Sequence, residues 1–548
     1  MVGTDRKRGC QMRTRLLRVH ICVLLALLAG CTPLRRAEQI GVWDLTPQLL
    51  KGSTSVITKD GYGFSELSVL ITVGTDGRVV DAKVVDNSSK LDPRPGLTAA
   101  RTMTFRPPVF EGRPVEAVGR IKIKYQSPEI PPDTSVPFPE APLENFEITL
   151  ERSACYGSCP DYRVSVRGDG RVQYSARENP FAESAAEVHL AYNGTNVLLS
   201  GPYETRVDPK AVATLISMFR DAHFMGLKPG YVASVTDNPT YALTLRAGKT
   251  VKRVADYVGR SAGMPQSVKD LEDAVDRLAG SERWTRGNEE TVALLKAQRF
   301  DFRSNDAVKL VASAMNWGFR APDDKRVMRF IRAMLAEGLD LDAKVNSVRD
   351  QKAVPVGEII VKFAAEAGDD KLLTHLRESG YLKRVDRRKL DEALQTSMGC
   401  NPAIPEMLVK AGANPKAASP EGNALHQVRE SYGACAEADS GRRVAMAKAL
   451  VAIGVPLEAR DGINWTPLMG NEDPDVVKVL IDAGANLNAK DENGTTPALS
   501  TDDDRVLLTL LRAGADPRAK DENGTVRDQA RKGHMPASLA WLATHGIK

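Results

Sequence analysis

The chain has 548 residues, 42% of them hydrophobic and 26% charged, with a formal net charge of +5. That length exceeds one ordinary core and predicts about three or four domains. The six bases Arg6, Lys7, Arg8, Arg13, Arg15 and Arg18 against Asp5 account for the whole excess. Everything beyond residue 30 is formally neutral, so the body of the chain lacks the basic footprint of a nucleic-acid binder.

The basic segment ends near Arg18 and runs into an apolar stretch, Ile21 to Ala29. A membrane-spanning helix needs roughly 20 apolar residues. This run is too short and fits the core of a signal peptide over residues 1–30. It ends Leu28-Ala29-Gly30-Cys31, which resembles the lipobox of bacterial lipoproteins. The resemblance implies that Cys31 carries lipid, becomes the mature N-terminus and attaches the protein to a membrane. Thr32 follows, where an Asp would imply inner-membrane retention. The expectation is therefore a lipid-anchored protein on the outer membrane, facing the periplasm. The start is either Met1 or Met12, and Met12 leaves a leader of ordinary length.

In residues 40–127, Leu67, Val69, Ile71 and Val73 alternate with polar neighbours, as in a half-buried strand. Asp76-Gly77 is a tight turn, Val79 to Val85 the returning strand, residues 96–104 a short helix, and Val115 to Tyr125 a third strand. Three segments, Val73-Gly-Thr-Asp-Gly77, Ala99-Ala-Arg-Thr-Met-Thr-Phe-Arg-Pro107 and Glu111-Gly-Arg-Pro-Val115, resemble the TonB C-terminal domain. The resemblance implies a small α+β fold with a strand-pairing surface, and a role as an envelope transport accessory is the alternative it opens.

A Pro-rich linker over 128–143 leads to a second α+β domain at 144–281. Its hairpin runs from Tyr162 through the Asp169-Gly170 turn to Tyr174, an amphipathic helix includes Leu215 to Phe219, and Tyr241, Leu243 and Leu245 alternate again. The start Cys155-Tyr-Gly-Ser-Cys159-Pro-Asp-Tyr162, the Asp-Gly turn and Tyr231…Thr236-Asp237 resemble a family of unknown function found in exported proteins. No activity follows from that resemblance.

From 285 to 548, and most clearly over 411–548, the chain repeats. Ala483-Gly-Ala485 recurs as Ala513-Gly-Ala515, Thr466-Pro467 as Thr496-Pro497, and Asp491-Glu-Asn-Gly-Thr495 unchanged as Asp521 to Thr525. Each interval is thirty residues, a period that means stacked supersecondary units. These landmarks resemble ankyrin repeats, whose pattern reads D-x-x-G-x-T-P-L-H-x-A, then a second helix, then G-A-x. Of the usual histidines only His426 is present. Gly412 and Gly454 end earlier units, the second lengthened by an insertion of about ten residues near 429–441, and Gly338 and Gly380 mark degraded copies further back. The predicted fold class is multidomain, two small α+β domains followed by an all-α ankyrin-like solenoid of five to seven helix pairs. That resemblance implies a binding scaffold for a protein partner.

Cysteines 155, 159, 400 and 435 remain after the leader and Cys31, and four cysteines allow three pairings. Three residues separate Cys155 from Cys159 and the pair enters a hairpin. Dithiol pairs of the thioredoxin type have two intervening residues at a helix N-terminus, so a structural bridge is the favoured reading. A thiol-dependent enzyme in this domain is the competing one. Cys400 and Cys435 are expected between helices of successive repeats, as a second bridge. A zinc site is the rival for these sulfurs, with no histidine beside Cys155. The seven histidines show no metal-ligand spacing and belong to no catalytic motif. The overall expectation is a non-enzymatic binding protein with no cofactor and no metal. Asp502-Asp503-Asp504 reads as a solvated helix start.

Overall fold

A computed structural model describes residues 39–44, 49–58, 65–110, 112–156, 159–176, 197–315, 325–347, 352–396, 400–429, 435 and 438–547. Cys31 lies outside them. The N-terminal region is β-rich and the C-terminal region helical.

The first sheet contains β1 (Gln39–Asp44), β2 (Ser55–Ile57), β3 (Ser65–Val73), β4 (Val79–Asp86) and β5 (Glu116–Gln126). Its order is β1-β5-β3-β4, with β2 also against β5. β3 and β4 form the hairpin expected from Asp76-Gly77, and Gly77 adopts φ +82°. The alternation of β3 buries Leu67, Val69, Ile71 and Val73 completely. Helix α1 (Pro93–Thr102) starts on the carboxylate of Asp92 with Pro93 in its first turn. It packs so closely on the sheet that a Cβ at Gly96 would lie 2.7 Å from Leu67 and 2.8 Å from the Tyr125 hydroxyl. That hydroxyl accepts from Gly96 N at 3.0 Å and donates to Asp92 O at 2.7 Å, locking helix to sheet.

The second sheet has seven strands: β6 (Phe146–Arg152), β7 (Tyr162–Arg167), β8 (Arg171–Ala176), β9 (Pro202–Arg206), β10 (Gly230–Val232), β11 (Tyr241–Ala247) and β12 (Thr250–Tyr257). Their order is β9-β8-β7-β6-β11-β12-β10. Helices α2 (Pro209–Asp221) and α3 (Gln266–Ala279) bury their apolar stripes with it, Val212, Leu215, Ile216 and Phe219 from the first, Val268, Leu271 and Val275 from the second. The Pro-rich segment before this sheet is not a free spacer. Ile130 N donates to Gly263 O at 2.8 Å, Asp133 N to Gly226 O at 2.9 Å, and Phe138 stacks on Phe146.

The helices that follow are α4 (Glu282–Thr285), α5 (Glu289–Ala297), α6 (Asn305–Met315), α7 (Lys325–Ala336), α8 (Val356–Glu366), α9 (Asp370–Glu378), α10 (Arg387–Gln395), α11 (Ala403–Ala411), α12 (Ser440–Ala452), α13 (Pro474–Asp482), α14 (Asp504–Ala513), α15 (Val526–Lys532) and α16 (Pro536–Thr544). Gly338, Gly380, Gly412, Gly454, Gly484 and Gly514 each follow a helix with φ between +77° and +123°. They are the left-handed residues that end helices without a Cβ penalty. The region is not purely α: Lys344–Ser347 pairs antiparallel with Lys352–Pro355. Two units also lack the first helix of a pair. Thr466–Gly470 and Thr496–Leu499 form turns instead, the trimming that a thirty-residue period imposes.

One core runs without a break from the second sheet through these helices. The first sheet closes on the far end of the same region. β1 lies against α14 and α16, and Leu508 and Ala537 complete the first sheet's core. Each end of the helical region is thereby covered by a β-rich part.

Candidate functional site

Three loops repeat in thirty-residue register. In each, an aspartate opens the turn with one oxygen. Asp461 Oδ1 accepts from Ile463 N and Trp465 N, Asp491 Oδ1 from Asn493 N and Thr495 N, and Asp521 Oδ1 from Asn523 N and Gly524 N, all at 2.8–3.1 Å. This is the Asx turn that makes aspartate a turn residue. The second oxygen reaches back to the preceding loop. Trp465 Nε1 donates to Asp491 Oδ2 at 3.1 Å and Thr495 Oγ1 to Asp521 Oδ2 at 3.0 Å. The loops are thus stitched together by side chains at equivalent positions.

Between them and the short turns behind lies an open groove of about 490 Å³. Asp491, Asp502, Asp521, Asn493, Asn523 and Gln529 line it, with Lys532 at one side. Ile463 and Trp465 give it an apolar wall, and Ile463 is 64% exposed. The equivalent positions further on are Asn493 and Thr495, then Asn523 and Thr525. An exposed isoleucine beside a tryptophan in a polar loop is the signal that marks these two residues; the repeat pattern alone does not single them out.

Behind the groove, His426 shows what the usual motif does. Its Nδ1 accepts from Asn423 N at 3.1 Å, and its Nε2 lies 3.0 Å from Trp465 O of the next unit. Burial holds its pKa below the ordinary histidine range, so the neutral ring serves as a link between units. Met469 and Leu499 stand in its place in the next two units. There the buried hydroxyls of Thr466 and Thr496 have no hydrogen-bond partner among the described residues.

The acidic run beside the groove is not a solvated helix start. Only Asp502 is exposed. Asp503 caps α14, accepting from Arg505 N and Val506 N, and is 4% exposed. Asp504 is fully buried, and its carboxylate accepts from Gly41 N, Ala537 N and Ser538 N at 2.8–2.9 Å.

All four cysteines singled out in the sequence are bridged, Cys155 to Cys159 and Cys400 to Cys435. Cys400 precedes α11, and Cys435 lies between the short 3-10 turn at Ala424–Gln427 and α12, so that bridge ties successive units together. A sulfur held in a disulfide is no zinc ligand, and among the described residues no group of His, Cys, Asp and Glu is arranged to hold a metal. Closing a loop of 35 residues restricts the unfolded chain by about 4 kcal/mol, against about 2 kcal/mol for the four-residue separation of Cys155 and Cys159. Cys400→Ser with Cys435→Ser is therefore expected to lower the urea midpoint about twice as much as Cys155→Ser with Cys159→Ser. Equal losses in paired melts would contradict the ordering.

A buried polar cluster, not foreseen from the sequence, joins β6 and β7 to α3. Arg152 pairs with Asp276, which also accepts from the Tyr162 hydroxyl at 2.6 Å. Burial and then the neighbouring Asp276 drive the Tyr162 pKa well above the phenol range. Arg152 and Lys269 both sit over the Tyr241 ring, at 4.4 and 4.7 Å. Lys269 Nζ reaches Glu272 at 3.1 Å. Residues 146–279, which hold this cluster and the Cys155–Cys159 loop, match a domain of unknown function (DUF6438). That match covers about a quarter of the chain. Neither a TonB nor an ankyrin family is matched. No curated protein matches.

Within the DUF6438 segment, Glu272 is 1% exposed, and burial, followed by the charge of Asp256, lifts its pKa from 4.5 to about 7 despite Lys269. A carboxyl whose folded pKa is raised contributes stability that is complete below pH 4.5 and lost as pH climbs through 7. The change amounts to about 3 kcal/mol. Glu272→Gln is expected to flatten that slope and to melt above the parent at pH 8, though not at pH 4. Parallel pH dependences in thermal scans would refute the assignment.

Proposed function

We propose that the protein is a lipid-anchored bacterial envelope protein whose ankyrin-like solenoid serves as a scaffold for a protein partner. The observation that carries this reading is the groove itself: three loops in register, stitched side chain to side chain, around a concave surface with an apolar wall. A preformed concavity with a few fixed polar groups is the usual form of a binding site. The named turns and the left-handed glycines fit the ankyrin pattern read from the sequence. Two disulfides suit an oxidising compartment. The basic leader and Leu28-Ala-Gly-Cys31 support acylation of Cys31 and membrane attachment, and Thr32 favours the outer membrane, facing the periplasm. Several acyl chains hold such an anchor stably. In this reading the protein binds and does not catalyse.

A second reading places the partner on the TonB-like first domain. β4 is the last strand of its sheet among the described residues and exposes Val80, an edge suited to strand addition. One experiment separates the two. The full mature chain, with Cys31 replaced, is used to capture partners from envelope extracts, as Ile463→Glu and as Val80→Glu. Both residues are exposed, so neither change disturbs the fold. Capture lost only with Ile463→Glu supports the scaffold; capture lost only with Val80→Glu moves the function to the sheet edge.

A further inference from the structure

Resting on the scaffold reading, we infer that the groove takes an extended, basic segment of the partner that carries one large apolar side chain. Three carboxylates line the groove, Asp491, Asp502 and Asp521, and among the described residues none of them is ion-paired. The equivalent carboxylate one unit earlier, Asp461, is different, because the buried guanidinium of Arg429 lies 4.0 Å away. The sole lining cation, Lys532, donates its ammonium to Asn523 O at 2.8 Å and, among the described residues, makes no ion pair with the three acids. The groove therefore carries an excess of negative charge on a chain whose body is formally neutral.

The acids are also held in place. Asp491 and Asp521 each spend one oxygen on their own turn and the other on the preceding loop. Asp502 accepts from Gln529 Nε2 at 2.7 Å. Charge fixed before the ligand arrives costs no reorganisation when it binds. At one end Ile463 and the Trp465 ring supply apolar surface. Asn493, Asn523 and Thr525 also line the groove, side chains that both donate and accept, as a peptide backbone requires. Asp491 and Asp521 stand one thirty-residue unit of the array apart, so a chain laid across the loops meets a carboxylate on each of them.

The test uses the full mature chain and two short synthetic peptides. One alternates lysine and serine around a single leucine, and the other has glutamate in place of lysine. Calorimetric titration is expected to show binding of the lysine peptide only, weakening as salt rises. Asp502→Lys, an exposed position, is expected to weaken it about tenfold with an unchanged melting curve, and Ile463→Ser to weaken it through the apolar wall. Equal binding of the two peptides overturns the inference, as does indifference to Asp502→Lys. If neither peptide binds while envelope capture still depends on Ile463, the basic-segment inference falls and the scaffold reading stands. If capture is also indifferent to Ile463, both fall.

Discussion

Asp504→Ala is expected to release the first strand from the helical region and to cost about 3–5 kcal/mol, with three buried N–H groups losing their acceptor. The carboxylate has no exposure, and its three donors come from two places: Gly41 in β1, and Ala537 and Ser538 at the start of α16. An alanine satisfies none of them. Gly41 also lies so close to the helical region that a Cβ would stand 2.8 Å from His534 O, so β1 has no alternative fit beside α16. Asp504→Asn retains an acceptor for part of this set and is expected to fall between the two. Burial already holds the Asp504 carboxyl above the usual aspartate range, while the Ser538 side chain and then the three backbone donors pull it back. Amide exchange gives the readout: Gly41 should pass from protected to fast-exchanging in Asp504→Ala, with β3 and β5 still protected. If Gly41 stays protected and the midpoint is unmoved, the clamp is not what holds β1.

This contact also explains why parts of the architecture were hidden from the sequence. β3 and β4 are legible because their signals are local, a two-residue alternation and an Asp-Gly turn, whereas the helix expected over 96–104 lies at Pro93–Thr102, its first turn set by the Asp92 cap and Pro93. β1 and β2 pair in parallel with β5, more than sixty residues away, as Gly41 does with Val118. Their three to six residues carry no pattern of their own, so only the distant partner decides them. The local sequence around Asp504 points to solvent for the same reason. On a helical wheel an acid in a first turn is a solvated acid. Its burial follows from donors 463, 33 and 34 residues away. The groove lies between these cases. Its loops were legible from Asp491 to Thr495 and its repeat, because turn chemistry is local. The apolar wall was not, since Ile463 and Trp465 gain their meaning from facing the next unit. The disulfide between Cys400 and Cys435 could be proposed because a repeat fixes which positions of successive units are neighbours.

The boundary read at 281–285 falls where the structure has no gap, and Trp284 is the reason. Its ring stacks on Tyr174 at 4.7 Å and lies 6.2 Å from Tyr203, so it belongs to the sheet's core although it sits in the first helix beyond that domain. The backbone is joined as well, Leu199 N donating to Trp284 O at 2.8 Å and Leu198 N to Thr285 O at 3.0 Å. Trp284→Ala removes the largest fully buried side chain at this junction and is expected to cost about 3–5 kcal/mol. It should also change the form of unfolding. With the core continuous, sheet and helices melt together; with the tryptophan gone, circular dichroism at a helical wavelength and a probe in the sheet should report separate midpoints. Trp284→Phe distinguishes packing from hydrogen bonding. Among the described residues the indole N–H has no acceptor, so phenylalanine forfeits volume alone, keeps the stack on Tyr174 and should preserve a single transition. One transition in Trp284→Ala would mean that the coupling resides in the backbone bonds of Leu198 and Leu199 and not in the aromatic stack, and two in Trp284→Phe would mean that it needs the full volume of the indole.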